Sequence, residues 1–290
     1  MTGDSLPARS LGVKATFYGV RGSIATPGIE TVRYGGNTSC LHVELDDGSQ
    51  LVIDAGTGIR KLGDRLAESE EPLTLLFSHH HWDHIQGLPF FRPLYQEGRQ
   101  IRLLSAYLKK SEAMAVLDQM IDPHFPVSSE NLHADISVLE LDAQGEIRIG
   151  DAVIRACPTN HPGGGAGYRI DTASGSLAFV TDNELFPPGK PTTSYDEWKA
   201  FLDEVDVLIH DAMYTSGELE QAHGWGHTSI DQALQLGCDC HAGHLVLFHH
   251  DPSRTDDQLD AILAENRQRA AEQGCRCRVS LATEGETLVL

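Results

Sequence analysis

The stretch SHHHWDH, Ser78 to His84, sets four histidines and one aspartate within seven residues. It follows the apolar run "LTLLFS" (73–78), which reads as a buried strand delivering the chain into the cluster. In a locally extended segment side chains alternate faces, so His79 and His81 point one way and His80 the other. Asp83 and His84 fall where "DHIQGL" can begin a short helix, turning both back towards the same space. The pattern H-x-H-x-D-H thus offers two imidazoles to one divalent ion, and a carboxylate with an imidazole to a second. Zinc takes such nitrogen and oxygen ligands at about 2.0–2.2 Å. Histidines of an ordinary surface loop are the alternative, and this spacing directly after a buried strand disfavours it.

Outward from the cluster, "ATFYGV" (15–20), "CLHVEL" (40–45) and "QLVID" (50–54) alternate like strands, and "TGIRKLGDRLAES" (57–69) has helical spacing. Beyond it, residues 85–145 are less regular. They contain "LPFFRPLY", a helix expected from Ser111 to Ile121 with Ser111 as N-cap, and the loop "DPHFPVSSEN". This segment is long enough to roof the cluster as a lid or substrate-binding insertion. Its aromatics could receive a base or sugar, with Arg92 as a phosphate contact, although packing in the core explains them as well. Short strands follow ("EIRIG", "AVIRACP", "AGYRID", "SLAFVTD"), and then helices alternate with strands to the end. Two strand-rich halves with helices between predict an α/β chain of two packed sheets with helices outside, read as one domain over residues 1–290.

Apolar residues make up 40% of the 290, enough for a large core. No run approaches the ~18–20 consecutive apolar residues of a membrane span, and the opening residues lack the pattern of an export signal. A cytoplasmic protein without a membrane partner is expected. Lys and Arg total 22 against 42 Asp and Glu, a net charge of −20, which disfavours a grip on phosphate backbones. Six cysteines in a chain of this length do not describe a disulfide scaffold.

"SHHHWDHIQGLP" resembles the signature of the metallo-β-lactamase superfamily, whose fold is a four-layer αββα sandwich with a dinuclear metal site at one edge. The resemblance runs from about Phe17 to Glu284 and implies a role for each matching residue. Asp54 in "LVIDAGTG" would be a structural hydrogen-bonding group. His79, His81 and His161 (in "TNHPGGG") would hold the first ion, and Asp83, His84 and His249 (in "LVLFHHDP") the second. Asp182 in "VTDNE" would bridge them. His249 is preferred to His250 because the family's ligand immediately follows the apolar strand and neighbouring side chains face opposite ways. The implied cofactors are two divalent ions, zinc first, with manganese or iron also admitted by His/Asp ligation.

"DVLIHDAMY" (206–214) and "GWGHTSIDQA" (224–233) resemble the paired motifs of the RNase Z-like phosphodiesterase branch. There a carboxylate orients a histidine that helps protonate the departing alkoxide. Carried over, the pair is Asp211 and His227, with Asp211 standing where glutamate is usual. With Asp83 they are the candidate catalytic residues. The competing reading is that "GHTS" only caps the next helix through Thr228 or Ser229. Just 20 residues separate His161 from Asp182, an interval that in many tRNA-processing members carries a tRNA-gripping arm. A small or cyclic phosphodiester is therefore the expected substrate, attacked by hydroxide that the ions generate, with no tRNA or nucleic-acid duplex as partner. Homodimerisation is left open. The rival activity is a thioester or lactone hydrolase on the same fold, and a non-catalytic binding or carrier protein ranks last.

Two smaller features complete the reading. Gly-rich turns at 21–28 and 33–39 could bring Ser23, Asn37 and Thr38 to the site edge. "GCDCHAGH" and "GCRCR" each place a Cys-x-Cys after a helix and before a strand. Cys238, Cys240, Cys275 and Cys277 would then gather at the opposite pole, as a structural zinc site, a redox pair or small buried fillers.

Overall fold

The computed structural model describes residues 12–107, Ala115, Leu117 and 129–290. Its first sheet comprises β1 (Lys14–Gly19), β2 (Cys40–Glu44), β3 (Gln50–Ile53), β4 (Leu73–Phe77), β5 (Gln100–Ser105), β6 (Asp135–Leu139) and the late β14 (Thr287–Val289). The second comprises β7 (Glu146–Ile149), β8 (Ala152–Pro158), β9 (Ala166–Asp171), β10 (Ser176–Val180), β11 (Val207–Asp211), β12 (His244–Phe248) and β13 (Arg278–Leu281). Strand order is β14-β1-β2-β3-β4-β5-β6 in one and β13-β12-β11-β10-β9-β8-β7 in the other. Each sheet is half antiparallel and half parallel. The parallel halves are β3 to β6 and β10 to β13.

Side-chain alternation makes the layers. Leu51, Ile53, Leu76, Phe179, Ile209 and Phe248 point between the sheets into one shared core. Their neighbours Val52, Leu75 and Phe77 face outward onto α1 (Ile59–Leu66) and α2 (Trp82–Ile85). On the other side Val180, Leu208 and Leu247 pack against α3 (Tyr195–Leu202), α5 (Ile230–Asp239) and α6 (Asp256–Glu272). Strands buried on both faces read as apolar runs, which is why β4 and β12 were visible in the sequence. α3, α4 (Ser216–Ala222), α5 and α6 each open with a capping box. Ser229, not Thr228, caps α5.

Several expectations need correction. Part of 85–145 belongs to the sheet, since β5 and β6 extend its parallel half. Leu88, Phe91 and Leu94 are buried against α1, and Arg92 lies 3.3 Å from Asp64, an α1 residue. The helix expected from Ser111 to Ile121 and most of "DPHFPVSSEN" lie outside the described residues; Ala115 and Leu117 are helical. Gly237 does not end α5 but lies inside it, where a Cβ would come within 3.3 Å of Leu245. The cysteines do converge, but not as four thiols: Cys238 and Cys275 form a disulfide, and Cys240 and Cys277 are buried thiols. Burial pushes those thiols up to about 12 and about 11, away from the thiolate a metal needs. Among the described residues no helix is long and apolar enough to cross a membrane.

Candidate active site

The candidate ligands lie just beyond the C-terminal ends of strands from both sheets, so the two parallel halves meet at one edge. β3 leads to Asp54, β4 to the histidine cluster, β10 to Asp182 and β12 to His249; Asp211 ends β11. Clefts outside the carboxyl ends of parallel strands are where open α/β sheets bind ligands. Six non-glycine residues among those described have positive φ, and four of them sit here: Ser23 (59°), Asp54 (61°), Asp182 (47°) and His249 (60°). Such strain persists where the surroundings over-determine it, which is typical of working sites.

Three candidate ligand groups emerge around Asp182, one of them made with Asp211, His227 and His249. His79, His81, His161 and Asp182 bring one donor atom each within 4.8 Å of one another, as do Asp83, His84 and His249. His79 Nε2 and His161 Nε2 lie 3.6 and 3.7 Å from Asp182 Oδ2, while His84 Nε2 and His249 Nε2 are both 3.1 Å from Oδ1. Asp182 therefore stands between the groups. The buried Nε2 atoms of His79, His84 and His249 have no hydrogen-bond partner. Leaving several buried polar atoms unsatisfied is costly, and these point at one another across carboxylates. That donor set fits divalent metal ions.

Hydrogen bonds behind two of the candidate ligands, His84 and His161, set their tautomers. Asp54 accepts from His84 Nδ1 at 2.7 Å, Ser39 Oγ at 2.8 Å, and Ser78 N and Oγ at 2.8 and 2.9 Å. His161 Nδ1 donates to Gly226 O at 2.9 Å. Each interaction leaves Nε2 as the lone-pair nitrogen, as metal-ligating histidines require. His80 turns away to Ser105 at 2.7 Å, and His250 turns to Ala282 O at 2.9 Å.

Electrostatics follow the same division. Burial holds His79 and His161 below their ordinary values, so both stay neutral donors. Burial also opposes a proton on His84, yet the carboxylates of Asp182, Asp83 and Asp54 overcome it and raise that ring well above its usual value. Burial likewise works against charge on Asp182, but the His249, His84 and His79 rings more than compensate. The centre is a field that asks for positive charge.

Beside it, His227 Nδ1 donates to Asp211 Oδ2 at 2.8 Å. Asp211 is fully buried and its other oxygen accepts from Met213 N at 3.1 Å and Thr228 N at 3.3 Å. The shorter aspartate side chain thus reaches the histidine without help. The His227 ring stacks on His249 with centroids 5.1 Å apart and lines the cleft with Nε2 as its uncommitted nitrogen. Burial opposes charging His227, but Asp211 above all, with Asp182 and Asp83, lifts it to about 9.

Of the loop residues, Ser23 lines the cleft and its N–H donates to Asp83 Oδ2 at 2.7 Å. Asn37 instead bonds Glu284, and Thr38 bonds Thr57, so both knit loops together. One buried residue was missed in the sequence. The Glu184 carboxylate accepts from Gly224 N and Gly226 N, all at 3.0 Å, and so clamps the turn whose carbonyl orients His161. Gly226 has φ +86°, and a Cβ there would lie 2.1 Å from His161 Nδ1.

Fold and donor set together define a hydrolase of the αββα class with a candidate His/Asp metal-binding cluster at its edge. Residues 49–250 match the Beta-lactamase superfamily domain, and the chain belongs to that family. It is 25% identical over 238 residues to the ribonuclease Z of Macrococcus caseolyticus, covering 67% of this chain and 75% of that protein. Among solved structures it resembles the metallo-beta-lactamase fold protein YhfI from Bacillus subtilis (TM-score 0.67, 18% identity, 96% and 100% of the two chains). It also resembles a diphosphatase from the PhnP family (TM-score 0.69, 19% identity, 97% and 98% covered).

Proposed function

We propose that this chain is a dinuclear metal-dependent phosphodiesterase acting on a small phosphodiester. The observation that carries this reading is the Asp211–His227 pair, 2.8 Å apart and stacked beside the ligand His249. His79, His81 and His161 would hold one ion and Asp83, His84 and His249 the other, with Asp182 shared. When bound, such ions lower the pKa of a bound water and neutralise charge on phosphoryl oxygens. The chain's own residues do the rest. Asp211 fixes the His227 ring through Nδ1, and Nε2 then delivers a proton to the departing alkoxide, a poor leaving group without one. Asp211 is in turn held by two backbone N–H groups, so the acid is oriented before substrate arrives.

The similarity to a ribonuclease Z and to a PhnP-family diphosphatase supports phosphoryl over acyl substrates. A thioester or lactone hydrolase would use the same ligands but give the pair no work. The charge of −20 and the absence of Lys or Arg among the described cleft-lining residues disfavour tRNA or duplex as substrate. The test is His227→Ala. Phosphodiester turnover should fall about 10²–10⁴-fold, the usual worth of a positioned acid, with metal content unchanged. Undiminished turnover would remove His227 from the reaction.

A further inference from the structure

Trp225 is 63% exposed, which an indole in an aqueous setting does not favour, and it lines the cleft that holds Asp182 and His227. Its turn is not loose. Gly224 N and Gly226 N are held by Glu184, Trp225 N donates to Ala222 O at 3.0 Å, and Gly226 O accepts from the ligand His161. The backbone on either side of the indole is therefore fixed relative to the metal ligands, while the ring itself is left in solvent. Rigid backbone with an exposed aromatic is what a stacking surface requires.

The rest of the cleft narrows what could stack there. Its volume is about 600 Å³, suited to one small organic group. Its described lining includes Met213, Tyr214 and Pro252, the amide of Gln221, and no Lys or Arg. Among the described residues that line this cleft, a substrate with several phosphates would meet only histidines as candidate cations. A monoanionic diester with a flat, largely apolar substituent suits this wall. From these observations we infer that Trp225 is the specificity-determining platform on which the nucleobase of a small nucleotide phosphodiester stacks, with Gln221 at the base edge. The inference rests on the phosphodiesterase reading and adds the class of substrate. Glu184 is a positioning residue that keeps this platform in register with His161.

The test is calorimetric binding of two probes to the metal-loaded full chain: adenosine 5′-monophosphate and ribose 5-phosphate. Both carry the same phosphate, and only the first carries a base. Base-on-aromatic stacking predicts roughly 5- to 150-fold tighter binding of the nucleotide. Trp225→Ala should erase that preference while leaving ribose 5-phosphate affinity unchanged, and Trp225→Phe should retain part of it. A preference that survives in Trp225→Ala, or a parent protein that shows no preference or binds neither probe, overturns the platform. Turnover of bis(p-nitrophenyl) phosphate by the same parent preparation is read separately. Its absence sinks the phosphodiesterase reading whatever the binding shows, and its presence without a base preference sinks only the platform.

Discussion

Asp54→Asn probes the ligand set without touching a proposed ligand. Asparagine tolerates the left-handed backbone at this position, φ 61°, so no conformational cost is added. The carboxylate receives Ser78 N on one oxygen, and Ser39 Oγ, Ser78 Oγ and His84 Nδ1 on the other. An amide keeps one oxygen. If that oxygen stays on Ser78 N, the new NH₂ faces two hydroxyls, which can rotate to accept, and the His84 Nδ1–H, which cannot. His84 must then change tautomer and carry its proton on Nε2, blocking the lone pair aimed at Asp182. If the amide flips, it sets donor against donor at Ser78 N instead. The first outcome withdraws a lone pair from the candidate metal site, and the second leaves the buried Ser78 N–H unsatisfied at a cost of about 1–3 kcal/mol. About 1–3 kcal/mol is roughly 5- to 150-fold, and losing a partner behind a metal-ligating histidine typically costs about 10–100-fold in metal affinity. The assay is competition of apo-protein with a chromophoric chelator for zinc, alongside a melting curve to confirm folding. One site should weaken by that factor and the other much less. Parent-like affinity at every site would refute the reasoning.

Other expectations are as specific. Gly226→Ala should cost about 1–3 kcal/mol from its positive φ and should lower metal occupancy by displacing His161, as read by melting and metal analysis; parent values in both would show the turn to be slack. His42 is buried, bonds Gln50 at 2.7 Å, and burial lowers its pKa to about 4. Because its folded value lies below the unfolded one of about 6.5, the unfolded chain binds the proton first. Stability is complete above about pH 6.5 and falls by on the order of 3 kcal/mol as pH drops to about 4. His42→Gln should flatten that part of the curve in denaturant titrations at pH 7 and pH 4.5, and an unchanged slope would contradict the assignment.

The strand ends were legible because burial on both faces writes β4, β10, β11 and β12 as apolar runs, and each ends in a residue of metal-ligating type. Alternation alone separated His80 from His79 and His81. The Asp211–His227 pair was legible only through the resemblance of "DVLIHDAMY" and "GWGHTSIDQA" to the paired phosphodiesterase motifs, since a strand end and a helix cap alone name no pair. What escaped depends on chain returning from a distance. Glu184 has its role only because a turn some 40 residues later folds onto it, and nothing local to "VTDNE" signals that. Ser23 could not be told from Asn37 and Thr38, since three polar residues on Gly-rich turns look alike until Glu284 and Thr57 claim two of them. The cysteines were placed together correctly by the repeated helix–strand pattern, but the choice of Cys238 with Cys275 depends on where α5 stops. Gly237 marked that end one turn too early.

The phosphodiesterase reading is tested most directly by turnover of three substrates by one preparation: an activated phosphodiester, a thioester and a lactone, each measured on apo-protein before and after metal is restored. Phosphodiester hydrolysis that appears with two bound ions per chain, and exceeds the other two activities, is the predicted result. Thioester or lactone hydrolysis in excess of the phosphodiester, or phosphodiester turnover by metal-free protein, would contradict it.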